Sequence, residues 1–144
     1  MTFGPAVLFC PADRPDRFGK AAAVADAVIL DLEDGVAPAD KERARAAVVA
    51  SELDPDRTIV RLNAATTGEF ARDLEAVAAT GYRTIMLAKA ETVADLERVA
   101  SFSVIPILET PLGVENAFEL ASLSPVIALM WGAEDLIAGL GGQS

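Results

Sequence analysis

The chain has no histidine, a single cysteine and no long apolar run. Lack of histidine removes the commonest general base and the commonest metal ligand. Proton transfer or metal binding must then rely on carboxylates, lysine, tyrosine, the cysteine or water. Carboxylates and water bind hard cations such as Mg2+, Mn2+ or Ca2+ rather than Zn2+. With Cys10 alone, no internal disulfide can form, which fits a reducing compartment. No stretch of about 18 apolar residues marks a membrane span. The start, "MTFGPAVLFCPADRPDRF", lacks a basic region leading into a long apolar stretch, so no signal peptide and a cytoplasmic location are expected. Cations are outnumbered: 12 Lys and Arg stand against 22 Asp and Glu, a formal net charge of −10. That balance disfavours nonspecific binding to nucleic acid or to an anionic membrane. There is no GxGxxG after the first apolar run and no P-loop, and the late "GLGG" lacks the strand-to-helix context that either motif needs.

What is present suits one α/β domain. The 144 residues are 52% hydrophobic, enough for a core. Short continuous apolar runs predict strands at 6–10 (AVLFC), 27–32 (AVILDL), 58–62 (TIVRL), 84–88 (TIMLA), 104–108 (VIPIL) and 126–131 (VIALMW). Continuous runs suit parallel strands buried on both faces. Helical stretches alternate with them: "RPDRFGKAAAVA", "PADKERARAAVVAS" with Pro38 near its first turn and charges on one face, "GEFARDLEAVAAT", "ADLERVAS" behind a Thr92–Asp95 capping pair, "GVENAFELAS" and "EDLIAGL". This is β-α repeated about six times. It fits a doubly wound open sheet or the first six units of a (β/α)8 TIM barrel, which has eight units and typically about 250 residues.

In parallel α/β folds the ligand site lies at the carboxyl ends of the strands. There the sequence places Cys10, Asp13 and Arg14; Asp31, Glu33 and Asp34; Arg61 and Asn63; Lys89 and Glu91; Glu109 and Thr110; and Glu134 and Asp135 after Gly132. The amino ends carry only Asp26, Arg57 and Arg83, ordinary loop residues. Carboxylates and cations on one rim suit a metal ion with an anionic ligand: Arg61 can grip a carboxylate with two parallel hydrogen bonds, and Mg2+ commonly takes one or two carboxylates plus water and substrate oxygens. The same residues could instead form a salt-bridge network around Arg61 and Lys89 with no role in chemistry. Asp31, which precedes the strand end, reads as support. Cys10 reads as a small core residue, since no histidine exists to activate it. Trp131 reads as packing and Glu91 as structural.

The motifs "LFCPADRPDRFGKA", "ILDLEDGV", "VRLN", "MLAKAE", "ILET" and "MWGAEDL" run in the order found in the citrate lyase beta-subunit-like proteins of the phosphoenolpyruvate/pyruvate-domain aldolase superfamily. The chain resembles that family over nearly all its length. The resemblance implies a (β/α)8 barrel, trimeric or hexameric, that binds Mg2+ and cleaves or forms carbon–carbon bonds in 3-hydroxy acids, often as coenzyme A thioesters. By the same resemblance Glu109 and Asp135 are the metal ligands, Arg61 holds a substrate carboxylate, Arg14 meets an anionic substrate group, and Glu33, Asp34 and Lys89 are catalytic-site residues. Family members are nearly twice this length, so two further barrel strands are implied. In some relatives a neighbouring subunit supplies an acidic residue. Ala88 stands where the family usually has proline.

The expected activity is a Mg2+-dependent lyase acting on a citramalyl-, malyl- or hydroxymethylglutaryl-type CoA thioester to give an acyl-CoA and a keto acid. With no histidine, Asp34, a metal-bound water or an acid outside this segment would act as base. A lysine Schiff-base aldolase using Lys89 and a non-catalytic acyl-CoA-binding or complex subunit are the alternatives.

Overall fold

The computed structural model describes residues 3–142. Six strands form one parallel sheet: β1 Val7–Pro11, β2 Ala27–Asp31, β3 Thr58–Leu62, β4 Thr84–Leu87, β5 Ser103–Leu108 and β6 Met130–Trp131. Their spatial order is their order in the chain, each paired in parallel with the next. A doubly wound sheet reverses its strand order at a switch point; this one never does. The architecture is a six-stranded α/β half-barrel.

Helices α1 (Phe18–Val24), α2 (Lys41–Val49), α3 (Phe70–Ala78), α4 (Val93–Glu97), α5 (Pro111–Glu115), α6 (Ala117–Ala121) and α7 (Ala133–Gly139) link the strands and follow β6. Thr92 and Asp95 form the expected capping box at α4. The "GVENAFELAS" stretch is two short helices, broken at Asn116. At β6 the predicted six-residue strand shrinks to two: Val126 makes an isolated bridge to Val104, and ladder pairing resumes only at Met130.

Alternation along the strands sorts the core into two layers. Val28, Leu30, Val60, Leu62, Ile85, Leu87 and Val104 pack against helix residues such as Val48, Phe70, Val77, Leu96 and Leu120. On the other face Ala27, Ile29, Ile59, Met86, Ile105 and Ile107 form a smaller cluster with Phe3 and Met130. That inner face is the concave side of the half-barrel, and it is what positions the site. Two residues beyond Ile29, Ile59 and Ile107 the same parity delivers Asp31, Arg61 and Glu109 to the inner face at the strands' carboxyl ends.

Helix α2 departs from expectation. Its charges do not share one solvated face. Lys41, Ala44, Arg45 and Val48 are its buried stripe, at i, i+3, i+4 and i+7, while Glu42 and Arg43 face solvent. Among the described residues no helix is long and apolar enough to cross a membrane.

Candidate active site at the strand carboxyl ends

Asp31 and Arg61 are register partners on β2 and β3. Arg61 donates to Asp31 through Nε (2.7 Å) and Nη2 (2.6 Å), a bidentate pair. The same carboxylate accepts the peptide N–H groups of Glu33 and Gly35, each at 2.8 Å. Asp31 therefore holds both the arginine and the turn that follows β2. Gly35 must be glycine here, because a Cβ would run into the Asp31 carboxylate.

Glu33 is buried and fully engaged. Lys89 Nζ lies 2.5 Å from its Oε1, and Arg61 Nη1 lies 3.2 Å from its Oε2, which also accepts the Asp34 N–H. Asp34 is exposed, with Lys89 Nζ at 3.5 Å. Lys89 reaches Asp135 as well, at 3.1 Å. Its backbone is left-handed, φ 49°, a conformation rare outside glycine. With this bend its peptide N–H donates to Glu109 Oε1 (2.8 Å) while its side chain crosses to Glu33. Burial works against the Lys89 charge, but the hydrogen bonds to Glu33 and Asp135 outweigh it and hold the ammonium well above its ordinary pKa. For Arg61 likewise, the Asp31 pairing outweighs burial.

Glu109 differs from the other acids. It is buried at the end of β5 and, among the described residues, forms no ion pair. Burial pushes its carboxyl above the ordinary range, a shift that the Lys89 N–H only partly offsets. Gly132 makes room for it: a Cβ there would lie 2.5 Å from Glu109 Cβ and 2.6 Å from Oε2. Glu109, Asp135, Asp34, Arg61 and Trp131 share the wall of an open cleft of about 540 Å³.

Of the sequence-level candidates, Glu33, Asp34, Arg61, Lys89, Glu109 and Asp135 meet in this way. Arg14 does not join them. It is tied to Asp16 through Nε (3.0 Å) and Nη2 (3.1 Å), beside a separate cleft next to β1 and α1. Cys10 is buried, and burial raises its thiol pKa, as befits a core residue. Glu91 helps close the α4 cap and accepts from Asn116. Trp131 was expected to pack inside; on the edge strand it is 58% exposed and lines the cleft.

Two contributors escaped the sequence. The Phe9 ring lies 4.9 Å from the guanidinium carbon of Arg61; its inward parity with Val7 was the available signal. The second is a buried polar array behind the β2 turn, of which only Asn63 was expected at a strand end. Lys41 Nζ donates to the carbonyls of Leu32 and Glu33 (2.6 Å each) and to Asn63 Oδ1 (3.1 Å). Asn63 Nδ2 reaches Asp73 (2.6 Å), which accepts Arg45 Nη1 (2.8 Å). The signal was the helical stripe that sets Lys41 and Arg45 beside Ala44 and Val48.

Among the described residues no three His, Cys, Asp or Glu side chains gather as a metal cage. Glu109 and Asp135 nonetheless suit a hard cation, since Mg2+ usually keeps several waters and takes only one or two protein carboxylates. A buried carboxylate with no cation partner is the donor such an ion would complete.

Comparison with known proteins agrees with this geometry. Residues 5–144 match the model of the HpcH/HpaI aldolase/citrate lyase family. A citrate lyase subunit beta-like protein of Mycobacterium tuberculosis is 58% identical over 141 residues, covering 98% of this chain and 52% of that protein. An L-malyl-CoA/beta-methylmalyl-CoA lyase of Cereibacter sphaeroides is 36% identical over 95% of this chain and 50% of its own length. The crystal structure of CitE from M. tuberculosis with magnesium, acetoacetate and coenzyme A superposes with a TM-score of 0.96 at 57% identity, covering 99% of this chain and 54% of that one. The chain spans about half the length of the curated relatives it matches. Strand order, rim chemistry and these matches agree: the chain belongs to the HpcH/HpaI aldolase/citrate lyase family.

Proposed function

We propose that this chain carries the catalytic rim of a Mg2+-dependent carbon–carbon lyase. Its substrate is a 3-hydroxy acid presented as a citramalyl-, malyl- or hydroxymethylglutaryl-type CoA thioester, cleaved to an acyl-CoA and a keto acid. The observation that carries this reading is Glu109: buried, without an ion pair, and sharing a cleft with Asp135 and a clamped arginine. The relatives named for malyl-CoA cleavage, and the solved complex with magnesium and coenzyme A, support it.

Glu109 and Asp135 would hold the ion, with water and substrate oxygens filling the remaining positions. Bound there, Mg2+ supplies Lewis-acid stabilisation of the negative charge that grows on a substrate oxygen as the C–C bond breaks. Arg61 orients the substrate. Asp31 and Glu33 use three of its five N–H donors, leaving one on each terminal nitrogen for a substrate carboxylate. Lys89 and Arg61 keep Glu33 neutralised. Asp34, exposed at the cleft, is the described carboxylate best placed to accept the hydroxyl proton; a water or an acid beyond the described residues is the other source of a base. Arg14 lies at the neighbouring cleft, where it would meet a more distant anionic group.

Completion of a (β/α)8 barrel by two further units, assembly as a homotrimer or hexamer and a cytoplasmic setting belong to the same reading. The inner apolar face, open beside β1 and β6, supports the first. Lys89, held charged by Glu33 and Asp135, is a poor Schiff-base nucleophile. The complete chain is tested by incubating each ester with Mg2+ and identifying products. Paired keto acid and acyl-CoA support the lyase. Binding of the esters with no cleavage of any would support a non-catalytic acyl-CoA-binding subunit instead.

A further inference from the structure

The buried array behind the β2 turn touches none of the cleft, yet it is built with unusual economy around one group, the ammonium of Lys41. A lysine ammonium has three N–H donors, and here three acceptors meet them: Leu32 O, Glu33 O and Asn63 Oδ1. All three acceptors are uncharged. Among the described residues Lys41 has no ion-pair partner, although the side chain is buried. A desolvated cation without a counter-ion is unfavourable, and an apolar side chain would serve a purely packing role better.

The location of the acceptors gives the ammonium its use. The Glu33–Val36 turn is gripped from two sides. In front, the Asp31 carboxylate takes the N–H groups of Glu33 and Gly35. Behind, Lys41 takes the carbonyls of Leu32 and Glu33. Asn63 extends the rear grip: Nδ2 donates to Leu32 O (2.9 Å) and to Asp73, and its N–H donates to Asp73 at 3.0 Å. Asp73, fully buried on α3, is in turn held by Arg45 of α2. The turn that carries Glu33 and Asp34 is thereby referenced to β3, α2 and α3 together.

We propose that Lys41 is a positioning residue, whose buried tripod of hydrogen bonds fixes the Glu33–Gly35 turn and so sets Glu33 against Arg61 and Lys89. The kinetic part of this assignment rests on the lyase reading; the structural part does not. A planar guanidinium cannot reproduce the tripod, and a methionine fills the volume without donating.

The test uses the complete chain and the variants Lys41→Met, Lys41→Arg, Glu33→Gln and the Lys41→Met/Glu33→Gln double, with Asn63→Ser as a milder probe. Amide hydrogen exchange needs no activity. In Lys41→Met the Glu33 and Gly35 amides should lose protection about tenfold or more, while the Ile85 and Ile105 amides stay unchanged. Where the parent cleaves a thioester, Lys41→Met should lower kcat about a hundredfold and leave the Mg2+ dissociation constant within about threefold, since Lys41 touches neither Glu109 nor Asp135. The double variant should lose no more than the worse single one, and Lys41→Arg should fail to rescue. Asn63→Ser should show the same pattern more weakly. Unchanged exchange at Glu33 and Gly35, kinetic losses that multiply with those of Glu33→Gln, or failure of both Lys41→Met and Asn63→Ser to fold would each overturn the assignment. A parent inactive on every ester, with the exchange effect present, would count against the lyase reading and leave the positioning role standing.

Discussion

Arg61 meets Asp31 edge to edge, with Nε and Nη2 at 2.7 and 2.6 Å from the two carboxylate oxygens of its register partner on the neighbouring strand. Because the same carboxylate accepts two peptide N–H groups of the following turn, one acid fixes both the cation and the loop facing it. Losing the charge of Asp31 should therefore unfasten two things at once. Asp31→Asn leaves Arg61 largely buried with only Glu33 nearby, and breaking a buried pair typically costs about 3–5 kcal/mol. A cost near the lower figure is expected, read from the urea unfolding midpoint.

Arg61→Lys keeps the charge and loses the fork. On the proposed function a substrate carboxylate would then lose a charge-assisted hydrogen bond worth about 1.5–3 kcal/mol, so KM should rise roughly ten- to a hundredfold. Steady-state kinetics on the best thioester measures it.

Gly132 borders Glu109 so closely that even one methyl group intrudes. Gly132→Ala must push the Glu109 carboxylate aside or strain β6, at about 1–3 kcal/mol. Mg2+ affinity measured by calorimetry should fall about tenfold or more, and Glu109→Gln should lose Mg2+ binding entirely.

The buried array also leaves a mark on acid stability. The hydrogen bond from Arg45 holds the Glu42 carboxyl below its ordinary pKa. A depressed folded-state pKa contributes stability above the unfolded value, about 4.3 for glutamate, and that contribution is lost as pH falls through the folded value. Glu42→Gln should therefore lower stability slightly at neutral pH, leave it unchanged at acid pH below the folded value, and so flatten the slope of stability against pH below about pH 5.

Much of this was readable from the chain. Continuous apolar runs located all six strands within a residue or so, except at β6, where "VIALMW" has strand composition but only Met130 and Trp131 pair with β5. Placing acids and cations at strand ends found Glu33, Asp34, Arg61, Lys89, Glu109 and Asp135, because parallel topology brings those ends to one rim. Partners were not readable. Which carboxylate Arg61 meets depends on strand register, which Asp31 and Arg61 acquire only on pairing. The left-handed bend at Lys89 has no glycine to announce it. Lys41 and Arg45 were hidden by composition: "KERARAAVV" looks like a solvated helix until its period places two of its cations inward. Arg14 shows another limit: its pairing with Asp16, beside a cleft separate from the rim, could not be read from its place at a strand end.

The claim that this rim performs metal-assisted carbon–carbon cleavage is tested most directly by chelation. The complete chain is assayed for keto-acid release from its best CoA ester, stripped with EDTA, and assayed again after Mg2+ is returned. The account predicts turnover that disappears on stripping and recovers with Mg2+. Turnover indifferent to EDTA would contradict it.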